Sequence, residues 1–285
     1  MPLPLDAAGT FEIAGRQVRR LGFGAMRITG PGIWGPPRDH DGAIAVLRRA
    51  VELGVTLIDT ADSYGPTVSE ELIFEALHPY GDVIVATKAG LLRTGPGQWL
   101  ACGRPAYLRQ QCELSLRRLG VEAIDLFQLH RVDPTVDRDE QFGTLKALQD
   151  EGKVRDVGLS NVTTDDLEAA RRIVEIATVQ NRYNVAERRD EGLLRACSSA
   201  GIGFLPWAPV ASGELAAATS VVAGIAKAVG ATPTQVSLAW LLHHDAVLLP
   251  IPGTSSVGHL EENCAAANIE LSAEHLSRLD DLDPS

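Results

Sequence analysis

Short apolar runs alternate with longer amphipathic segments along most of the chain. The longer segments carry apolar residues at helical spacing, and the short runs have the length of buried strands. Alternation of this kind is typical of parallel strands joined by helices. The candidate strands are, in order, 21–24, 56–59, 83–88, 124–129, 156–160, 176–180, 203–207 and 247–251. Eight such strands predict an α/β fold, and specifically a (β/α)₈ TIM barrel.

Helix boundary signals lie between these strands. Helix starts are expected near Asp41, Ser69, Pro105, Thr164 and Pro233, where capping residues, carboxylates or a first-turn proline precede apolar stripes. Gly54 and Gly120 are the expected ends of the first and third of these helices. Two stretches rich in glycine and proline, 30–37 and 93–103, are predicted to be long loops after the first and third strands.

The segment before the first barrel strand predicts a β-hairpin. Residues 10–13 and 17–19 have strand character, and Ala14-Gly15 between them suits a tight turn. We expect this N-terminal hairpin to close the floor of the barrel. No linker or internal repeat divides the chain, so residues 1–285 are predicted to form a single domain.

Length, charge and cysteine usage narrow the class of protein. The 285 residues fit one barrel, which typically needs about 250. A net charge of −11 argues against nucleic acid or an anionic membrane surface as a partner. The four scattered cysteines form no CxxC pair, so we expect free thiols and no metal site. With no signal peptide or membrane span visible, we expect a soluble cytoplasmic protein, monomeric or a small homo-oligomer, that acts on a small molecule.

Ionisable residues end three consecutive candidate strands. Asp59 ends the second strand, Lys88 the third, and His130 follows the fourth directly. Tyr64 lies in the loop just after Asp59. Active sites of barrels gather at the carboxyl ends of the strands, and successive strands are neighbours. The four side chains are therefore predicted to converge at one rim as a catalytic site.

The chemistry of this set suits proton donation to a developing alkoxide. A nearby ammonium lowers the pKa of a phenol, so Lys88 is expected to tune Tyr64 as the acid. Asp59 would anchor Lys88, and His130 would orient a substrate carbonyl. Each residue also has an ordinary structural interpretation. Asp59 suits a helix cap or ion pair, Tyr64 a partly buried loop aromatic, Lys88 a surface residue or a Schiff-base lysine, and His130 a core histidine.

These motifs resemble those of the aldo-keto reductase superfamily, and the resemblance runs from Leu21-Gly22-Phe23-Gly24 to Glu262-Asn263. It implies that Asp59, Tyr64, Lys88 and His130 form the family's catalytic tetrad. It also implies hydride transfer from NADPH to an aldehyde or ketone without a metal. Within the family, residues 30–37 resemble a bacterial branch akin to pyridoxal reductases and pyridoxine dehydrogenases.

The resemblance also assigns the cofactor-binding residues. The implied contacts are Ser160, Asn161 and Gln180 with the carboxamide, Trp207 with the nicotinamide ring, Ala208, Pro209 and Gly213 beside it, Ile251, Gly253, Thr254, Ser255, Ser256 and His259 with the phosphates, and Glu262 and Asn263 with the adenine. A helix start after the last strand suits phosphate binding. No glycine-rich fingerprint follows the first strand, which disfavours a Rossmann fold.

Cofactor preference and substrate follow from what surrounds these positions. The family's usual Lys or Arg is missing around Gly253, Ser255 and His259, where it would meet the 2′-phosphate. NADPH is still expected, with NADH as the alternative. Residues expected near the substrate are Met26, Trp34 and Trp99. The alternative for the two tryptophans is simple packing on the barrel rim. An aromatic mouth of this kind suits a planar or apolar carbonyl such as pyridoxal.

Two other functions remain open from the sequence. Channel β-subunits share this fold and cofactor, so one alternative is a nucleotide-sensing regulatory subunit. The other is a lyase that uses Lys88 as a Schiff base, which needs no nicotinamide. A fold alone does not choose among the three. Tyr64 beside Lys88, together with the cofactor motifs, favours the reductase.

Overall fold

A computed structural model describes residues 5–210 and 220–282. Its strands are β1 (Thr10–Ile13), β2 (Arg16–Arg19), β3 (Phe23–Gly24), β4 (Leu57–Asp59), β5 (Ile84–Ala89), β6 (Leu91–Gly95), β7 (Gln98–Ala101), β8 (Ile124–Leu129), β9 (Val154–Ser160), β10 (Thr178–Gln180) and β11 (Gly203–Phe204). Its α-helices are α1 (His40–Glu52), α2 (Val68–Leu77), α3 (Pro105–Leu119), α4 (Arg138–Asp150), α5 (Thr164–Arg171), α6 (Glu191–Ala200), α7 (Ser220–Val229), α8 (Pro233–His244), α9 (Val257–Ala265) and α10 (Ala273–Asp280). Strands and helices alternate as the hydrophobic pattern predicts.

A curled parallel sheet forms the centre of the molecule. Seven strands lie side by side in the order β11-β10-β9-β8-β5-β4-β3, and every neighbouring pair is parallel. Apart from the two local hairpins, the spatial order follows the chain order. Such an order is what successive β-α units of a barrel produce.

The segment 247–252 closes this sheet into a barrel. On one side, the Phe204 amide donates to the Val247 carbonyl at 2.7 Å, and the Leu249 amide donates to the Phe204 carbonyl at 2.8 Å. On the other side, the Gly22 amide donates to the Pro250 carbonyl at 2.9 Å. The segment therefore bonds to both edges of the sheet, as an eighth barrel strand must. The predicted (β/α)₈ barrel is confirmed.

Helix boundaries follow the local signals. Asp39 caps α1 by accepting from the Gly42 amide. Pro105 occupies the first turn of α3, and Gly120 ends that helix in the left-handed conformation, with φ of 65°. Both α5 and α8 begin with a capping box, formed by Thr163 with Asp166 and by Thr232 with Gln235.

The N-terminal hairpin plugs one end of the barrel, as predicted. Ile13 and Val18 are fully buried and pack against the barrel interior. The Ala14 amide at the turn donates to the Asp156 carboxylate at 2.6 Å, and Asp156 lies near the start of β9. Because the hairpin covers the amino ends of the strands, the carboxyl ends remain as the place for a site.

One predicted loop is partly a second hairpin. Residues 93–103 do not form an irregular loop throughout, because β6 and β7 pair as an antiparallel ribbon. The side chains alternate: Leu92 and Leu100 are exposed, whereas Arg93 and Trp99 are half-buried. Such alternation is expected of a ribbon with one face on the protein.

None of the helices in the described ranges is long and apolar enough to cross a membrane.

Candidate active site

A buried ion pair lies at the carboxyl end of the barrel. The Lys88 Nζ atom is 2.6 Å from Asp59 Oδ2, and the side chains are only 0% and 3% exposed. Lys88 also donates to the Thr60 carbonyl at 2.8 Å. β4 ends at Asp59 and pairs with β5, which carries Lys88. The predicted association of these two strand ends is thus present in the structure.

Two glutamines complete the surroundings of the Asp59 carboxylate. Gln180 Nε2 donates to Asp59 Oδ1 at 2.8 Å, and Gln128 Nε2 donates to the same oxygen at 3.1 Å. Gln180 was expected to face a carboxamide, but its amide nitrogen is bonded to Asp59. Gln128 was not predicted from the sequence. Its only signal is a polar residue in the buried strand β8. These bonds hold the carboxylate of Asp59 in place.

Tyr64 lies next to Lys88, and its ring is almost fully buried. The Lys88 Nζ atom is 5.2 Å from the centre of the Tyr64 ring. Burial raises the pKa of Tyr64, and this outweighs the lowering by the charge of Lys88 and its hydrogen bond. The expected net lowering of this pKa is therefore wrong, although the effect of Lys88 has the expected sign. At neutral pH the phenol stays protonated.

Lys88 is held in its charged form. Burial alone would lower its pKa, but attraction by Asp59 and Tyr64 raises the pKa above the ordinary lysine value. A Schiff-base lysine must lose its proton to attack a carbonyl. The raised pKa of Lys88 therefore argues against the lyase alternative.

His130 packs against Tyr64 in a neutral state. The two ring centres are 5.7 Å apart, with the planes at 80°. Burial and the charge of Lys88 hold the pKa of His130 well below its usual range. The Ser63 hydroxyl lies 3.3 Å from His130 Nδ1. When Ser63 donates this bond, the ring proton is on Nε2, where it is available to another acceptor.

Two of the expected substrate residues lie around this acid–base group. Trp99 packs edge-on against Tyr64, with ring centres 6.3 Å apart, and lies 6.4 Å from the His130 ring. Trp34 is 38% exposed. Its backbone forms an isolated β-bridge with Gly65, the residue that follows Tyr64. Met26 is half-buried in a short 3₁₀ helix, Ala25–Ile28, which follows β3. Trp99 is therefore the substrate candidate nearest to Tyr64.

The expected carboxamide ligands occupy the ends of β9 and β10. Ser160 is buried, and Asn161 has a positive φ of 56°. Asn161 Nδ2 donates to the His130 carbonyl at 3.1 Å and to Ser160 Oγ at 2.9 Å. The left-handed backbone of Asn161 is uncommon outside glycine and marks a constrained position. These bonds join the expected carboxamide ligands at the end of β9 to His130, which follows β8.

Trp207 follows β11 at the same rim. Its indole Nε1 atom is buried without a hydrogen-bond partner among the described residues. Ala208 has a positive φ of 51°, and its carbonyl accepts from Asn184 at 3.1 Å. Pro209 is buried. Gly213, the remaining expected residue of this segment, lies outside the described residues. A half-buried indole whose buried Nε1 donor has no partner among the described residues suits a site for a polar, planar ligand.

The expected phosphate segment runs from the barrel interior to the start of α9. Ile251 is buried in the interior, whereas Gly253, Ser255 and His259 are exposed. The remaining two residues make local bonds: Thr254 accepts from the Ser256 amide at 3.0 Å, and Ser256 caps α9 by accepting from the His259 amide. Backbone amides at a helix start suit phosphate oxygens. The donor set therefore fits the phosphates of a dinucleotide.

Glu262 and Asn263 lie on the same helix, but Glu262 is already engaged. Its carboxylate accepts from the Thr232 hydroxyl at 2.7 Å, and its carbonyl accepts from Gln235 at 3.0 Å. These bonds tie α9 to the start of α8. Asn263 is mostly buried, with 7% exposed. The structure thus shows Glu262 in hydrogen bonds that join two helices, in addition to its expected role at the adenine.

Two further polar side chains near Tyr64 were missed by sequence reasoning. Asp62 is 4% exposed, and its Oδ1 atom has no hydrogen-bond partner among the described residues. Burial and the charge of Glu70 raise the pKa of Asp62 to about 8. Arg93 donates to the Ser63 carbonyl at 2.8 Å. No local pattern identifies either residue, because both roles depend on tertiary packing.

Comparisons with known proteins agree with this arrangement. The chain is 50% identical over 274 residues to an uncharacterised oxidoreductase of Schizosaccharomyces pombe, covering 96% of this chain and 90% of the relative. It is 43% identical over 282 residues to pyridoxine 4-dehydrogenase of Escherichia coli, covering 96% of this chain and 98% of that relative. The narrower resemblance to pyridoxine dehydrogenases is thus confirmed.

Solved structures give the same result for the fold. An aldo-keto reductase of Klebsiella pneumoniae in complex with NADPH matches with a TM-score of 0.82 at 30% identity, covering 97% of this chain and 96% of that chain. A glycerol dehydrogenase of Gluconobacter oxydans matches with a TM-score of 0.88 at 27% identity, covering 97% and 95%. The model of the aldo/keto reductase family matches residues 20–284. The chain therefore belongs to the aldo/keto reductase family, and the expectation that it is an oxidoreductase is confirmed.

Proposed function

We propose that this enzyme reduces an aldehyde or ketone to an alcohol with NADPH, and that Tyr64 is the general acid. The observation that carries the proposal is the burial of a protonated phenol beside the charged Lys88 ammonium, with ring centre and Nζ 5.2 Å apart. Membership of the family and the NADPH complex of the Klebsiella pneumoniae structure support the reaction class and the cofactor.

Each member of the site has a separate role in this proposal. NADPH, when bound, supplies the hydride that is added to the carbonyl carbon. Tyr64 donates its proton to the carbonyl oxygen as negative charge develops there. The Lys88 ammonium, fixed by Asp59 at 2.6 Å, stabilises the phenolate that results. His130 is neutral and donates from Nε2 to the same carbonyl oxygen, which orients the substrate.

The cofactor is proposed to lie along the rim from β9 to α9. Ser160 and Asn161 would hold the carboxamide, and the Trp207 indole would cover the nicotinamide ring. Backbone amides at the start of α9 would bind phosphate oxygens. NADPH is preferred to NADH because the Klebsiella pneumoniae structure contains NADPH, although the segment 253–259 itself carries no Lys or Arg.

The substrate is proposed to be a small, planar carbonyl compound such as pyridoxal. Trp99 lies against both Tyr64 and His130, so a planar ring bound beside these three side chains would find an aromatic surface. The Escherichia coli relative, pyridoxine 4-dehydrogenase, supports this class. Trp34, which is more exposed, would cover the outer side of the substrate.

The test measures both cofactor binding and turnover. Quenching of tryptophan fluorescence is measured on titration with NADPH and, separately, with NADH, and NADPH oxidation is then followed with pyridoxal. In Tyr64→Phe, we expect turnover to fall by about a hundredfold or more, with the Kd for NADPH unchanged. Tyr80→Phe is the matched control, since Tyr80 donates to the Leu119 carbonyl away from the site. Wild-type turnover in Tyr64→Phe would remove Tyr64 as the acid.

A further inference from the structure

Arg93 joins three separate segments at the mouth of the site. Its guanidinium makes five hydrogen bonds, all to backbone carbonyls. The acceptors are Gln98 at 2.8 Å, Ile33 at 2.6 Å, Ser63 at 2.8 Å, Gly32 at 2.8 Å and Gly95 at 3.3 Å. These carbonyls belong to the loop 30–37, to the residue before Tyr64, and to the β6–β7 ribbon that carries Arg93 itself.

The same guanidinium lies over the rings of both tryptophans. The Arg93 Cζ atom is 3.7 Å from the centre of the Trp99 ring and 5.7 Å from the centre of the Trp34 ring. A guanidinium over an indole is a favourable cation–π pair. Trp99 in turn packs against Tyr64 and His130 in T-shaped arrangements. Arg93 therefore connects both aromatic side chains of the mouth to the acid–base group.

Arg93 has no donor left for a substrate. A guanidinium has five N–H groups, and the structure assigns five bonds to Arg93. It therefore acts through the rings that it holds and not as a ligand for a substrate anion. Lysine cannot replace this function, because an ammonium has three donors and no flat face.

We propose that Arg93 is a positioning residue that gives the site its preference for planar aromatic carbonyls, by holding Trp34 and Trp99 as the walls of the substrate mouth. This inference rests on the proposed function, since it concerns the same site and the same reaction. Small aliphatic carbonyls need only Tyr64 and His130, so their reduction depends much less on the orientation of the two rings.

The test compares two aldehydes in one variant. NADPH-dependent reduction of benzaldehyde and of propanal is measured in wild type and in Arg93→Lys. We expect kcat/KM for benzaldehyde to fall by about tenfold, mainly through KM, with a loss for propanal of about threefold or less. The Kd for NADPH should not change. Arg109→Lys is the matched control, because Arg109 pairs with Glu151 on the surface, and it should affect neither aldehyde.

A second variant covers the case in which Arg93→Lys does not fold. Trp99→Leu leaves all five bonds of Arg93 in place and must show the same selective loss for benzaldehyde. Where both variants fold, the selective loss in Arg93→Lys combined with Trp99→Leu should be smaller than the two single losses multiplied, because the Trp99 wall is lost only once. Equal losses for the two aldehydes in Arg93→Lys, or in Trp99→Leu, would overturn the inference alone. If wild type reduced none of benzaldehyde, propanal and pyridoxal, the proposed function would be overturned as well.

Discussion

The Lys88 ammonium lies 2.6 Å from the Asp59 carboxylate, and both side chains are buried. Asp59→Asn keeps an oxygen that accepts from Gln128 and Gln180. It replaces the oxygen that accepts from Lys88 by an amide NH2 group, so both the negative charge and the acceptor of the Lys88 bond are removed. The buried ammonium then has no counter-charge, which typically costs about 3–5 kcal/mol in the free energy of unfolding. Urea denaturation measures this loss, and reduction of pyridoxal should fall with it.

Removing both buried charges, those of Asp59 and Lys88, should lower the free energy of unfolding by less than the sum of the two single substitutions. Asp59→Asn combined with Lys88→Met leaves no unpaired charge, so part of the lost stability returns. The exposed pair Lys146 and Asp150 provides the control, and Lys146→Met with Asp150→Asn should change stability by about 0.5 kcal/mol or less. Strictly additive losses at Asp59 and Lys88 would show that the two charges do not depend on each other.

The rate of aldehyde reduction should depend little on pH near neutrality. The proton donor must be protonated, and burial raises the pKa of Tyr64 above that of a free phenol. His130 stays neutral because its pKa is far below its usual range. We therefore expect kcat at saturating NADPH and aldehyde to vary by about twofold or less from about pH 6 to about pH 9. A tenfold fall across this range would assign the proton donor to another group.

Asp62 should make the stability of the protein decrease as the pH rises. Its pKa is about 8 in the folded protein and about 4 in an unfolded chain. The folded state therefore binds the Asp62 proton more tightly than the unfolded chain does. The resulting contribution of Asp62 to the free energy of unfolding is complete below about pH 4 and is lost as the pH approaches 8. Between these values the slope reaches at most about 1.4 kcal/mol per pH unit.

Thermal unfolding at several pH values tests this sign. Asp62→Asn removes the titrating carboxyl, so its unfolding midpoint should decrease less from about pH 5 to about pH 8 than that of wild type. The exposed Asp82 gives the control, since Asp82→Asn should retain the wild-type slope. Parallel curves for Asp62→Asn and wild type would mean that Asp62 is ionised throughout this range.

The outline of the fold is predictable because its signals are local. The strand predicted at 124–129 coincides with β8, and the limits of α3 follow from Pro105 and Gly120. A proline at a first turn and a glycine at a helix end act within a few residues, so the sequence contains them directly. Convergence of Asp59 and Lys88 was predictable for a related reason, because neighbouring parallel strands end at one rim.

The other features of the candidate site depend on contacts between residues that are distant in the sequence. Gln128 contributes to the site only because the fold brings its amide to Asp59, 69 positions away. Arg93 bonds to residues 30, 60 and 61 positions away, so its own strand gives no sign of its role. The net pKa shift of Tyr64 was also out of reach, because it depends on how deeply the ring is buried. Sequence reasoning identified the charge of Lys88 but not the stronger effect of burial.

Substitution by alanine at two glycines of the expected phosphate segment, Gly253 and Gly258, should change the stability of the protein in opposite directions. A Cβ atom on Gly253 would lie 2.5 Å from the Gly24 carbonyl oxygen, closer than the backbone can tolerate. A Cβ atom on Gly258, inside α9, would meet only Ser256 Oγ at 3.8 Å. Gly253→Ala must therefore push apart the two backbones where the barrel closes, whereas Gly258→Ala gains helix propensity.

We expect Gly258→Ala to raise the free energy of unfolding by about 0.5–1 kcal/mol and to leave the affinity for NADPH unchanged. Gly253→Ala should lower the free energy of unfolding by about 1–3 kcal/mol, as overpacking does. It should also weaken NADPH binding, because the shifted backbone leads directly into the amides at the start of α9. Urea denaturation and NADPH titration of both variants measure these effects. Unchanged stability together with unchanged affinity in Gly253→Ala would mean that the chain around Gly24 and Gly253 moves apart without cost, and that the cofactor phosphates are held elsewhere.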